Sequence, residues 1–146
     1  MELRPKVVLE IGTVRGSILF LFTRVASSDT MLISIDLPSS MFGADGIPHG
    51  KYLSTNPSPR ENRKIFLIKA DFHDLETFNK VKKILGDKLI DFLLIDDGHT
   101  YEGVKRDFEM YSPPVRKGGI IALYDIAPGP PERQSFWRML KVNIGI

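Results

Sequence analysis

The sequence predicts an α/β fold, with one mainly parallel sheet held between layers of helices. Three observations predict it. Short apolar and β-branched runs alternate with segments of helical spacing along the whole chain. The strand-like runs are apolar throughout rather than apolar at every second residue, as expected of strands covered on both faces. Most of these runs stop at an acid or a glycine and pass straight into a polar or helical segment, the grammar of strand–turn–helix units with right-handed crossovers.

Taken in order, Lys6 to Ile11 is a β-branched run and reads as a first strand ending near Gly12. Gly16 to Ala26, "GSILFLFTRVA", is apolar nearly all round and reads as a helix buried against the sheet. Met31 to Asp36, "MLISID", is the second strand. Leu37 to Asn62 is rich in Pro, Ser and Gly with no clear period, a length of loop that is uncommon in compact domains and often serves as a lid. Lys64 to Ala70 is the third strand. His73 to Leu85 carries apolar residues at helical spacing (Leu75, Phe78, Val81, Ile84, Leu85) and stops at Gly86. Leu89 to Ile95 is the fourth strand. Thr100 to Tyr111 is a helix with Thr100 as N-cap, ended by Pro113 and Pro114. Its residues Glu102, Lys105, Arg106 and Asp107 read as a solvated face of i, i+3 and i, i+4 pairs. Gly119 to Tyr124 is the fifth strand, and Glu132 to Leu140 reads as a last helix.

Composition bounds the function. The 146 residues suit one domain over 1–146, and 42% hydrophobic with 26% charged residues is ordinary for a packed core. Twenty basic and 18 acidic residues leave a net charge of +2, which gives no case for nucleic acid as a partner. There is no cysteine, so disulfides and thiolate metal sites are excluded. No apolar stretch approaches the roughly 20 residues of a membrane span, and the first residues lack the apolar run of a signal peptide. A cytoplasmic protein without membrane association is the expectation.

The candidate site lies at the strand ends. Asp36, Asp71, Asp96 and Asp125 each close a strand, and Glu10 stands just before Gly12. In an open parallel sheet these ends share one edge, and ligands bind in the crevice outside it. Carboxylates gathered there repel one another unless hydroxyls, amines or positive charge compensate. "EIGTVRGS" puts Gly12 and Gly16 in the first strand-to-helix turn, where glycine allows a tight turn and close approach of a ligand. It is not the G-x-G-x-x-G of dinucleotide sites, so a nicotinamide-dependent oxidoreductase is the weaker reading. "LLIDDGHTYEGVKRDF" adds His99 within reach of Asp96. His49 and His73 have no evident partners.

These stretches, with "ISIDL", "KADFHD", "KGGIIALYDI" and "FWRML", resemble the class I S-adenosylmethionine-dependent methyltransferases. More narrowly, they resemble the subgroup that includes metal-dependent sugar and macrolide O-methyltransferases and cephalosporin-hydroxylase-like proteins. The resemblance implies a Rossmann-like three-layer sandwich. The usual sheet has seven strands, and this chain would stop short of the last ones, leaving an edge on which two copies could pair as a homo-oligomer. Carried over by position, Glu10, Gly12, Thr13, Gly16 and Ser17 would line the methionine part of S-adenosylmethionine. Asp36 would hold the ribose hydroxyls, and Asp71 and Phe72 the adenine. Asp96 and Asp125 would bind Mg²⁺, and His99 would be the general base beside Asp96. Phe72 reads equally well as a core residue. The function implied is methyl transfer to a hydroxyl of a small sugar- or phenol-like acceptor. A cofactor-binding domain without activity is the alternative.

Overall fold

The computed structural model of the chain describes residues 4–12, 17–38, 62–96 and 100–123, with side chains of the first helix described from Leu21 onward. Among them, five strands form one sheet: β1 (Val7–Ile11), β2 (Met31–Asp36), β3 (Lys64–Lys69), β4 (Ile90–Ile95) and β5 (Val115–Leu123). Their order is β3-β2-β1-β4-β5, and every neighbouring pair is parallel. Helices α1 (Ser17–Val25), α2 (Leu75–Leu85) and α3 (Tyr101–Tyr111) connect them. This is the Rossmann-like α/β architecture that the sequence predicts. The predicted helix over Glu132–Leu140 and most of Leu37–Asn62 lie outside the described residues.

The chain moves outward from β1 to β2 in one direction, then returns across the sheet to β4 and on to β5 in the other. With one handedness of crossover, that reversal puts the connecting helices on opposite faces. Packing agrees. Leu9, Ile11, Ile33, Ile35, Leu93 and Ile95 face a large apolar cluster completed by Val81 and Leu85 of α2 and Tyr111 of α3. The residues between them in the strands, Val8, Leu32 and Leu94, meet Phe22 of α1 in a smaller cluster. The Phe22 ring sits edge-on to Phe92, 4.9 Å between centroids.

Local chemistry sets the helix limits. The Asp74 side chain caps α2 by accepting from the Glu76 N–H, and the Thr100 hydroxyl caps α3 by accepting from the Gly103 N–H. Gly86 ends α2 with φ +59°, its N–H donating to the Lys82 carbonyl. α1 lies against the sheet through Phe22, as expected, with Leu21 and Val25 on exposed sides. Two expectations need correction. Leu75 is exposed while Thr77 is buried, which shifts the apolar stripe of α2 by part of a turn. β5 begins at Val115, not Gly119: Ile90 pairs with Val115, and a register irregularity then brings Phe92 opposite Ile120.

That irregularity belongs to a junction at the amino edge of the sheet. The Asp91 carboxylate accepts from the backbone N–H groups of Lys6 (2.8 Å) and Val7 (2.9 Å) and from the Arg116 guanidinium. Burial pushes its pKa up. The Arg116 hydrogen bond, the Val7 and Lys6 N–H groups and the Arg116 charge outweigh that and hold the carboxyl below its usual range. Gly119 packs so closely that a Cβ there would lie 2.8 Å from Val115 Cγ1 and 3.2 Å from the Asp91 carbonyl oxygen.

Candidate active-site rim

The order of the strands reverses between β1 and β4, so the crevice of the fold opens at the carboxyl ends of those two strands. Register fixes what stands there. Ile11 is level with Ile35 on one side and with Ile95 on the other. The next residue on each strand is therefore Gly12, Asp36 or Asp96. Backbone bonds extend the ladder to that level: Gly12 N–H donates to the Ile35 carbonyl (2.9 Å), and Asp96 N–H donates to the Ile11 carbonyl (2.8 Å). Beyond β2, Ala70 N–H donates to the Asp36 carbonyl at 3.0 Å, which brings the chain to Asp71. Asp71, Asp36, Gly12 and Asp96 thus stand in that sequence along one edge. With strands about 4.8 Å apart, the row from β3 to β4 is about 14 Å long.

Gly12 has φ +85°, a conformation open to glycine and strained for other residues. It turns the chain off β1 at the centre of the row. Just below it, Glu10 is only 1% exposed, and its Oε2 accepts from the Ser34 hydroxyl at 2.9 Å. Glu10 and Ser34 are register partners on β1 and β2, which is why they meet. By strand alternation Glu10, Ser34 and Asp36 belong to the α1 face of the sheet. Asp36 is buried and Asp96 half-buried.

Asp71 is exposed, and its Oδ1 accepts from the His73 N–H at 2.8 Å, closing a tight turn ahead of α2. Phe72 is 3% exposed and lies in the apolar cluster under α2 and α3, with its ring edge-on to His73. Ser17 begins α1. Thr13, Gly16, His99 and Asp125 lie outside the described residues. The structure therefore brings Glu10, Gly12, Asp36, Asp71 and Asp96 to one rim. Among the described residues no group of three or more His, Asp or Glu is placed to hold a metal ion.

The sequence reading missed one cluster beside the rim. His73 Nε2 lies 2.8 Å from Asp107 Oδ1, without the alignment of a hydrogen bond. Asp107 is fully buried, which corrects its placement on a solvated face; Glu102 and Arg106 are exposed, and Lys105 pairs with Glu109 at 4.0 Å. Tyr111, also fully buried, donates to the Phe72 carbonyl at 2.7 Å. Burial, then the Asp107 and Asp71 charges, push its phenol pKa well up, so it stays a donor. Arg106 Nη2 donates to the His73 carbonyl at 3.2 Å. The available signal was an acid on the inward stripe of α3, between Val104 and Tyr111 at helical spacing.

Residues 9–126 match the family model described as a methyltransferase domain. No curated protein is detectably similar in sequence. Similar folds include an O-methyltransferase of Streptomyces achromogenes involved in tomaymycin synthesis, solved with S-adenosylmethionine (TM-score 0.65, 16% identity, 98% of this chain and 63% of that one). An O-methyltransferase of Bacillus cereus, solved with S-adenosylhomocysteine, gives 0.61, 18%, 97% and 63%. A methyltransferase of the mycinamycin biosynthetic pathway, solved with Mg and S-adenosylhomocysteine, gives 0.61, 20%, 95% and 38%. The chain thus spans less than two thirds of the length of these proteins.

Proposed function

We infer the function from one premise: the chain belongs to the methyltransferase-domain family. On that premise we propose that it is an S-adenosylmethionine-dependent O-methyltransferase acting on a hydroxyl of a small sugar- or phenol-like acceptor, assisted by Mg²⁺.

One observation carries the reading: acids flank Gly12 at the switch point, with Asp36 and Asp96 level with it on the two neighbouring strands and Glu10 buried below. Such a rim suits a ligand rich in hydroxyls and amines with a positive centre. It suits a pyrophosphate poorly, because anionic oxygens at the Gly12 turn would face carboxylates on both sides. The row also has a useful order. Asp71 would accept from an adenine amine, Asp36 would hold ribose hydroxyls, and the Gly12 turn and Glu10 would take the amino-acid part. Asp96 would then stand at the reacting end. Phe72 supports the Asp71 turn from beneath.

When bound, the cofactor supplies a methyl group on a cationic sulfur. The protein's part is mainly positioning, since transfer is an in-line displacement whose barrier falls when the partners are aligned. Asp96 fixes the end of β4 to β1 through its N–H bond to Ile11 and so sets the acceptor side of the crevice. His99, just beyond it in sequence, would take the hydroxyl proton near neutral pH. Asp96 and Asp125 are hard oxygen donors of the kind Mg²⁺ takes. The ion would act as a Lewis acid on the developing oxyanion.

The test is methyl transfer to vicinal-diol and phenolic acceptors with and without Mg²⁺. His99→Ala should lower turnover about 10²- to 10⁴-fold while S-adenosylhomocysteine affinity holds. If the variant lost affinity instead, the base assignment would be wrong. Binding without transfer to any acceptor would leave a cofactor-binding domain.

A further inference from the structure

Three contacts from one helix converge on one turn of the rim. Tyr111 donates to the Phe72 carbonyl at 2.7 Å, Arg106 donates to the His73 carbonyl at 3.2 Å, and buried Asp107 meets the His73 ring at 2.8 Å. Asp107 and Tyr111 lie a turn apart on the same face of α3, and helical side chains lean toward the helix N-terminus. Because α3 starts just after β4 leaves the sheet, that lean points both side chains back toward the rim. We propose that Arg106, Asp107 and Tyr111 are positioning residues. They clamp the Asp71–His73 turn in the shape that reads the nucleoside end of the cofactor, with His73–Asp107 as the central pair. The proposal rests on the cofactor reading above and deepens it.

The physical case is a cost that fold stability alone does not explain. A fully buried carboxylate is expensive unless paired, and a well-packed apolar residue at that position would serve the core equally well. The same holds for the Tyr111 hydroxyl, which is buried and gives its hydrogen bond to the Phe72 carbonyl. Both polar groups are directed at the turn that carries Asp71, and none of the three contacts involves α2, the element the turn leads into. Asp71 itself holds the turn from within through the His73 N–H. A turn fixed from inside and outside presents its carboxylate without an ordering penalty when a ligand arrives.

The experiment uses the full chain and four variants: Tyr111→Phe, Asp107→Asn, His73→Ala and His73→Gln. Affinities for S-adenosylhomocysteine and for adenosine are measured by calorimetry well below each variant's unfolding temperature, with kcat and KM for the cofactor alongside. Tyr111→Phe and His73→Ala should weaken both ligands by the same factor, about tenfold. The rise should fall on KM, with kcat at saturating cofactor nearly unchanged. His73→Gln, which keeps a polar side chain reaching toward Asp107, should recover most of the loss. Variants that lower thermal stability but bind both ligands like the wild type would overturn the proposal. So would a loss confined to kcat, or a loss for S-adenosylhomocysteine that adenosine does not share. A wild-type chain that binds neither ligand would overturn the cofactor reading itself and the clamp with it, a result distinct from any pattern among the variants.

Discussion

The two faces of the sheet are made by the same strands, yet they do different work. Toward α2 and α3 the strands present Leu9, Ile11, Ile33, Ile35, Leu93 and Ile95, an apolar layer carried up to the rim. Toward α1 the same strands begin with Val8, Leu32 and Phe92, but β1 and β2 turn polar at Glu10, Ser34 and Asp36 as they near their carboxyl ends. Burying Glu10 and Asp36 forgoes apolar contacts and adds desolvation cost. The difference teaches that stability is concentrated on one face, so the upper part of the other can be given to a ligand.

The largest effect should come from breaking the apolar side. Leu9→Ala or Leu93→Ala, both at fully buried positions, should cost about 2–5 kcal/mol in urea unfolding. The folded fraction should still bind S-adenosylhomocysteine with native affinity. Next, Asp36→Ala should reverse the pattern. It should weaken S-adenosylhomocysteine about 10- to 100-fold, while costing less stability than either leucine truncation. Equal losses of stability and affinity in both sets would mean that the faces are not specialised.

Asp91→Asn sharpens the contrast from the opposite edge. The folded-state pKa of Asp91 is depressed, so its contribution is present above the unfolded value of about 3.8 and is lost as pH falls through the folded one. The variant should be less stable by about 1 kcal/mol at pH 7, with the gap to wild type narrowing as pH falls below about 3.8. S-adenosylhomocysteine affinity at pH 7 should not change. Smallest of all, Asp74→Ala removes the cap of α2 and should cost about 0.5–1 kcal/mol by the same unfolding measurement.

How much of this was legible depended on the range of the interaction. "MLISID" reads as a strand with its limits correct because the signal is local: β-branched residues, both faces buried, an acid at the end. Thr100 and Gly86 read correctly as helix ends for the same reason. The shared edge of Asp36, Asp71 and Asp96 followed from topology, since parallel strands leave no other place for their carboxyl ends. The fifth strand was expected from Gly119 and starts at Val115, because what pairs Val115 is Ile90 and what holds Arg116 is Asp91, residues remote in sequence. Asp107 looked solvated among Glu102, Lys105 and Arg106; only the fold brings it against His73. The exposure of Leu21 and Val25 shows the converse, since an apolar run does not say which of its sides the sheet will cover.

The most direct measurement is titration calorimetry of the full chain with S-adenosylhomocysteine, run beside NAD. A single site should bind the nucleoside thioether and not the dinucleotide, and Asp36→Ala with Asp96→Ala should abolish that binding while the chain stays folded. No heat at millimolar S-adenosylhomocysteine, or binding that survives loss of both carboxylates, would contradict it.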